Sequence, residues 1–157
     1  MEETDFIEIG TKEFSFTVLN INPQRDLLAL TMNINGLSFG TLESPTYIPS
    51  FIGNLRELLQ DPFYKNYNLT SDNFAENLCI NNELIKHYNL TLEETFDDFS
   101  KRGVRNQESI FFLFNLHENP FFTYPNLIEN IIYAEYVTIN SVELALNGLS
   151  EYIEKLS

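Results

Sequence analysis

Residues 109–116 constrain the fold more than any other segment, because their centre is apolar without interruption. The five central residues are Ile110, Phe111, Phe112, Leu113 and Phe114. Successive side chains of a strand point to opposite faces, so a strand with this sequence needs apolar cover on both sides. We therefore expect it in the middle of a sheet, covered by helices or by a helix and a loop.

Other segments alternate between apolar and polar residues and predict half-buried strands. The alternation covers residues 14–19 and 28–34, with a turn at Asn22-Pro23 between them. Asn35-Gly36 predicts a tight hairpin that returns the chain through residues 37–42. A further strand is expected at residues 131–139.

Three segments predict helices. Residues 46–61 have one apolar face, Thr46 as a candidate N-cap, and an end set by Pro62. Thr91 and Glu94 match a capping box and predict a short helix through Phe99, which Gly103 ends. Asn140 is expected to cap a final helix with one apolar stripe, and residues 63–88 are expected to form short helical pieces in a long connection.

The order of these elements favours an α+β fold. We expect an antiparallel sheet of about five strands packed with helices, with a long C-terminal helix. The 157 residues show no internal repeat and no linker that would divide them. A single domain covering residues 1–157 is therefore predicted.

The charge balance bears on the kind of partner. The chain has 23 acidic and 9 basic residues, a formal net charge of −14. This charge repels nucleic acid and anionic membranes, so no nucleic acid or membrane partner is expected, and a macromolecular partner should be basic. An acidic surface that only aids solubility explains the same balance.

A cytoplasmic location is expected from three features. The start of the chain is acidic where a signal peptide is basic, and no apolar run reaches 18 residues. Cys79 is the only cysteine, so an internal disulfide is not available.

Motifs for enzymatic chemistry are absent from the sequence. No metal-ligand spacing and no glycine-rich phosphate loop occurs, so no metal, cofactor or catalytic residue is predicted. A nucleophile–base pair would need Cys79 or a serine beside His87 or His117. Cys79 is expected to be a buried, inert thiol.

Four acidic residues form the densest charge cluster: Glu93, Glu94, Asp97 and Asp98. On the predicted helix, Glu93 and Asp97 share one face, as do Glu94 and Asp98. Such acids can stabilise a helix N-terminus, contact a partner, or perform acid–base chemistry. Lys101, Arg102 and Arg105 follow, and we expect them to complement the C-terminal end of that helix.

Residues 119–125 predict a loop that carries Phe121 and Phe122. Exposed aromatic side chains can anchor a protein interface, and they can also pack beneath their own loop as core. The candidate partner-binding residues are Glu93, Glu94, Asp97, Asp98, Glu118, Phe121, Phe122 and Tyr124.

Residues 91–99 and the strand followed by the loop Pro120-Phe121-Phe122-Thr123-Tyr124-Pro125 resemble bacterial immunity proteins. Those proteins are small inhibitors that protect cells from toxins of contact-dependent inhibition and other polymorphic toxin systems. The resemblance covers architecture and size over most of the chain, and no functional residue is carried over by position. It implies a cytoplasmic, non-enzymatic protein that binds the basic nuclease domain of a cognate toxin.

Two other functions stay open at this stage. One is a non-enzymatic adaptor or phage accessory protein, for which the acidity provides solubility only. The other is a small hydrolase that uses Glu94 and Asp98 as its carboxylate pair.

Overall fold

The computed structural model describes residues 5–156 and begins with a four-stranded antiparallel meander. Its strands, in spatial order, are β1 (Phe6–Gly10), β2 (Phe14–Leu19), β3 (Leu27–Ile34) and β4 (Leu37–Tyr47). The predicted alternation in β2 and β3 is confirmed, as is the Asn35-Gly36 turn, in which both residues have positive φ. β1 was not predicted. Residues 1–4, used above to argue against a signal peptide, lie outside the described part.

The first helix, α1 (Ile48–Gln60), follows β4 directly. Its apolar face is buried, and it ends at Asp61 before Pro62, as predicted. The expected cap is wrong, because Tyr47 is the N-cap residue and Thr46 is the penultimate residue of β4. The Thr46 hydroxyl lies 2.6 Å from that of Thr95 in the interior, so it is not available to cap the helix.

A long connecting segment, residues 61–90, links α1 to the second half of the chain. It contains a 3₁₀ helix (Pro62–Tyr64), the short helix α2 (Phe74–Asn77) and a hairpin of β5 (Cys79–Ile80) and β6 (Glu83–Leu84). Short helical pieces were predicted here and the hairpin was not. Cys79 is half-buried, and burial raises the pKa of its thiol.

The helix predicted from Thr91 through Phe99 is wrong. The structure has only a 3₁₀ helix, Glu94–Phe96, with Glu93 as its N-cap and no capping hydrogen bond from a side chain. Gly103 does not end a helix but lies within a strand. The four acids therefore do not form pairs on a helical face.

A three-stranded antiparallel sheet follows, made of β7 (Phe99–Arg105), β8 (Ser109–Leu116) and β9 (Ile132–Thr138). β8 is the central strand, as its apolar sequence predicted, and β9 confirms the strand expected near it. One face of β8 packs on the four-stranded sheet, where Phe112 stacks on Phe14 and Phe114 on Phe39. The cover on this face is thus a second sheet rather than a helix.

The other face of β8 packs on the connecting segment. Phe111 and Leu113 form a second apolar cluster there, with Leu69, Phe74 and Leu78. This cover of loop and short helix agrees with the sequence prediction.

The last helix, α3 (Ile139–Glu154), packs across β1 and β2 through its apolar stripe. Its N-cap is Thr138, whose hydroxyl accepts a hydrogen bond from the Ser141 amide, so the predicted Asn140 cap is wrong. Glu13 accepts hydrogen bonds from the hydroxyls of Thr138 and Ser141. Burial would raise the pKa of Glu13, but these hydrogen bonds outweigh it and lower the pKa.

The fold class is α+β with a long C-terminal helix, as predicted. Instead of one sheet of about five strands, residues 5–156 form three antiparallel sheets of four, two and three strands. None of the helices in these residues combines the length and apolar character needed to cross a membrane.

Candidate functional site

One groove brings together most of the predicted partner-binding residues. It has a volume of about 500 Å³ and lies between the end of β4, the 3₁₀ turn and the loop after β8. We call it the acidic groove; its lining residues are Leu27, Ser44, Pro45, Tyr47, Glu93, Glu94, Thr95, Asp97, Asp98, Phe121 and Phe122. Six of the eight predicted residues line it, although the helix expected to carry four of them does not form.

A bulge in β4 shapes one wall of the groove. The pairing with β3 passes from Thr41 opposite Leu30 to Thr46 opposite Leu28, so residues 42–45 lie opposite Ala29 alone. The extra residues bend the strand and turn Ser44 and Pro45 toward the groove. Sequence reasoning missed this wall, because it predicted a strand through residue 42 and a helix from residue 46 with no bulge between them.

A close contact holds the opposite wall in place. Gly40 has a φ of +97°, and a Cβ atom at this position would lie 2.8 Å from the ring of Phe96. The absence of a side chain thus lets Phe96, in the 3₁₀ turn, pack against β4. Phe96 is fully buried and stacks on Phe51 of α1, which fixes the turn that carries the acids.

The acids on that turn have different local roles. Glu93 accepts a hydrogen bond from the Ser50 hydroxyl of α1 at 2.5 Å, so it joins the turn to the helix. Within the described part of the chain, the carboxylates of Glu94 and Asp97 accept no hydrogen bond, and both residues are exposed. Asp97 also attracts the nearby Lys101 ammonium electrostatically, and both carboxylates keep their acceptor oxygens open to a partner.

Asp98 fixes the loop after β8. Its carboxylate accepts hydrogen bonds from the amides of Phe121 (2.8 Å) and Phe122 (3.0 Å) and from the Tyr124 hydroxyl (2.8 Å). Burial alone would raise the pKa of Asp98, but these donors, together with nearby His117 when it is protonated, lower it. Asp98 is therefore a structural acid that accepts three hydrogen bonds from one loop.

Two more carboxylates bind the same loop, residues 117–131, which we call the anchored loop. Glu43, in the bulge, accepts from the Thr123 amide at 2.8 Å, and Glu129 accepts from the Asn119 amide at 2.8 Å. Tyr124 packs edge-on against Phe99 of β7. Burial, the hydrogen bond to Asp98 and the charges of Asp98 and Glu43 all raise the pKa of Tyr124, so its hydroxyl remains a donor.

Phe121 is the most exposed large apolar side chain among the described residues, at 86%. It does not pack beneath its loop, which was one of the two interpretations of the sequence. Phe122 lies edge-on to it and is half-buried. The backbone that carries Phe121 is thus fixed while its side chain faces solvent.

The remaining two predicted residues do not line the groove. Tyr124 reaches it only through its hydrogen bond to Asp98. Glu118 is exposed in the anchored loop and accepts a hydrogen bond from the side-chain Nδ2 of Asn130 at 2.8 Å.

The three basic residues that follow the groove acids in the sequence donate hydrogen bonds to backbone carbonyls. Contrary to the sequence prediction, they lie on β7 and not at the end of a helix through Phe99. Arg105 is buried and donates to the carbonyls of Leu58 and Asp61, so it does meet a helix C-terminus, that of α1. Arg102 donates to the Ile85 carbonyl, and Lys101 to those of Phe96 and Phe99. These positive charges are used within the fold.

One serine does lie beside a histidine. The Ser100 hydroxyl is 2.8 Å from Nε2 of His117, at the exposed end of the pairing between β7 and β8. The neighbouring carboxylate, Asp98, is bound to the anchored loop and does not hydrogen-bond the imidazole. Within residues 5–156, no three His, Cys, Asp or Glu side chains converge as a metal site requires.

No protein-family model matches the chain, no curated protein is significantly similar to it, and no solved structure matches its fold at a significant level. Function is therefore inferred from the groove itself.

Proposed function

We propose that this protein is a non-enzymatic inhibitor of the immunity type, which binds a basic, nuclease-like toxin domain through the acidic groove. The observation that carries the proposal is the pairing of Phe121 with Glu94 and Asp97. The aromatic side chain is exposed on a loop whose amides are held by carboxylates, and the two acids beside it have no hydrogen-bond partner in the described chain.

The fixed loop favours binding through Phe121. Ordering a mobile loop on association opposes binding, so a loop that is already ordered loses less conformational entropy. Large aromatic side chains near the centre of an interface commonly dominate its binding energy. Phe121, with the half-buried Phe122 beside it, fits that role.

The charges support a basic protein as the partner. Lys101, Arg102 and Arg105 are bound to carbonyls within the fold, whereas the exposed carboxylates of Glu94 and Asp97 accept no hydrogen bond from residues 5–156. With a net charge of −14, long-range attraction accelerates encounter with a positively charged domain and opposes encounter with nucleic acid.

The alternative of a hydrolase with Glu94 and Asp98 as its pair has lost the geometry that motivated it. The two residues do not share a helical face, and Asp98 accepts three hydrogen bonds from the anchored loop. A non-toxin adaptor partner would use the same groove, and the following experiment separates it from a toxin.

Co-expression with the polypeptide encoded beside this gene tests the proposal. We expect a complex that survives purification, protects cells from that polypeptide, and weakens steeply as salt rises. The double variant Glu94→Lys/Asp97→Lys should lose protection. Glu143→Lys/Glu151→Lys, with the same charge change on exposed residues of α3, should retain it.

Failure of the wild-type chain to bind or protect would contradict the proposal. Binding without any growth defect from the neighbouring polypeptide alone would point to the adaptor. Equal loss of protection in both charge-reversal variants would show that overall charge, and not the groove, is responsible.

A further inference from the structure

A second cavity adjoins the acidic groove. Its volume is about 350 Å³, and it shares Leu27, Ser44 and Pro45 with the groove. The turn after β2, in which Asn22 has a φ of 47°, forms its other wall. The two cavities are thus neighbouring parts of one continuous surface.

The second cavity differs from the groove in chemistry. Most of its lining is apolar, including Leu19, Ile21, Pro23, Ala29 and Leu42. Among its lining residues Glu43 alone is ionisable, and one of its carboxylate oxygens already accepts the Thr123 amide. We call it the apolar cavity.

Exposed apolar side chains border this continuous surface. Ile21 (45% exposed) lies at the apolar cavity, Leu27 (42%) is common to both cavities, and Tyr47 (48%) lies at the groove beside Phe121. An apolar patch next to free charges is typical of a protein interface with a polar rim.

We propose that the apolar cavity receives a large apolar side chain from the same partner that occupies the acidic groove. The partner would then present one segment in which a large apolar residue lies close to a Lys or Arg. This inference rests on the proposed function and extends it by stating the chemistry that the partner needs. The basic residue pairs with Glu94 or Asp97, and the apolar residue displaces water from the cavity.

Charge complementarity favours this occupant over two others. A second copy of the chain would bring another charge of −14 to the same face, including its own Glu94 and Asp97. A nucleic acid would meet the same repulsion and has no large aliphatic group for the cavity. A basic protein segment with an apolar residue satisfies both halves of the surface.

Two variants test the apolar cavity separately from the groove. Ile21→Ala removes an exposed side chain at its wall, and Ala29→Phe adds a ring that fills it. Ile80→Ala, at the exposed hairpin of the connecting segment, is the matched control. The probe is the purified basic domain obtained from the co-expression experiment, and the readouts are Kd and its dependence on salt.

Ile21→Ala and Ala29→Phe are each expected to weaken binding by about tenfold, because a truncated or blocked apolar contact is lost. The slope of log Kd against log salt should not change, because no charge is altered. Glu94→Lys/Asp97→Lys should instead reduce that slope. Ile80→Ala should bind as the wild type does.

Binding of both cavity variants at wild-type affinity, with the groove variants impaired, would overturn this inference and leave the proposed function standing. No binding by the wild type would remove the proposed function and this inference with it. A dimer of the free chain that Ile21→Ala dissociates, measured by analytical ultracentrifugation, would overturn it in favour of a second copy.

Discussion

The connecting segment (residues 61–90) and the anchored loop (residues 117–131) are both long and largely irregular. Positively charged side chains bind the first, and negatively charged side chains bind the second. Arg102 and Arg105 donate to carbonyls of the connecting segment and its start, and the apolar cluster beneath β8 adds a packed contact. Asp98 and Glu43 accept amides of the anchored loop, Glu129 accepts one from within it, and Leu127 is the only buried residue of this loop. The packed segment buries Tyr64 and Phe74 and leaves Phe63 and Tyr67 about half exposed, whereas the loop fixed by hydrogen bonds leaves Phe121 86% exposed.

Because packing holds the connecting segment and hydrogen bonds hold the anchored loop, substitutions in the two should affect different properties. Changes beneath the connecting segment should lower the free energy of unfolding, because buried apolar contacts dominate it. Changes at the tip of the anchored loop should affect binding and leave that free energy nearly unchanged.

Phe111→Ala should have the largest effect on stability. Phe111 is fully buried in β8 and stacks on Phe74 of α2, with ring centres 4.8 Å apart. A cavity of this kind costs about 3–5 kcal/mol. Urea unfolding should show that loss, and limited proteolysis should cut the connecting segment first. A loss below about 1 kcal/mol would show that the cluster does not hold this segment.

Arg105→Met should follow, with a loss of about 2–3 kcal/mol. The substitution retains an apolar stem but leaves the Leu58 and Asp61 carbonyls at the end of α1 without their charged donor. Arg25→Met, an exposed change of the same type, is the control and should cost less than about 0.5 kcal/mol. Equal effects in urea unfolding would argue against the role given to Arg105.

Asp98→Asn should cost less, about 1–2 kcal/mol, because Asp98 is only half-buried. Asparagine has one acceptor oxygen and cannot serve both amides and the Tyr124 hydroxyl as the carboxylate does. Hydrogen exchange at the amides of Phe121 and Phe122 should accelerate, while exchange in the connecting segment stays unchanged. Asp97→Asn, at the neighbouring carboxylate that accepts no hydrogen bond, is the control. If it accelerated exchange of the Phe121 and Phe122 amides equally, Asp98 would not be the residue that holds the loop.

Acid should loosen the anchored loop before the connecting segment. The pKa of Asp98 is lowered in the folded state, so its contribution to stability is complete above the unfolded value of about 3.9. It is lost as the pH falls through the lower folded value. The protection factor of the Phe121 amide, its exchange relative to the intrinsic rate at each pH, should fall in the wild type below about pH 4 and change little in Asp98→Asn. Identical pH profiles in the wild type and Asp98→Asn would assign the acid-induced loosening to other groups, such as Glu13.

The sequence predicted the elements in which apolar residues recur with the regular spacing of a strand or a helix. The apolar run of β8, the alternation in β2 and β3 and the stripe of α3 each allow one packing, and each is confirmed. The end of α1 at Pro62 was equally determined, because proline excludes helical geometry in the residue before it.

The capping-box prediction failed because local signals there are weak. A helix of about eight residues is marginal without tertiary support, and Asp97 and Asp98 near its C-terminal end would oppose its dipole. Tertiary contacts decide instead: Phe96 is buried against Phe51 and next to Gly40, and Asp98 binds loop amides distant in sequence. Six of the eight residues chosen from the sequence nevertheless line one groove, since acids and aromatic residues were chosen for their chemistry rather than for a helix.

Neither the bulge nor the apolar cavity is marked by a regular sequence pattern like those of β8 and α3. The strand predicted from the sequence stops at residue 42, and only the pairing with β3 shows that β4 continues to Tyr47 with a shift opposite Ala29. β7 was missed because Lys101, Arg102 and Gly103 interrupt its apolar pattern, and the two charged side chains are bound by the carbonyls of Phe96, Phe99 and Ile85.

Phe121→Ala tests whether the anchored loop displays Phe121 for a basic partner. Titration calorimetry with the basic domain should show binding weakened by about tenfold or more, with urea stability within about 0.5 kcal/mol of the wild type. Ile80→Ala, which truncates another exposed apolar side chain on the connecting segment, should leave both quantities unchanged. Unaltered affinity in Phe121→Ala, with the loop still ordered by hydrogen exchange, would contradict the account.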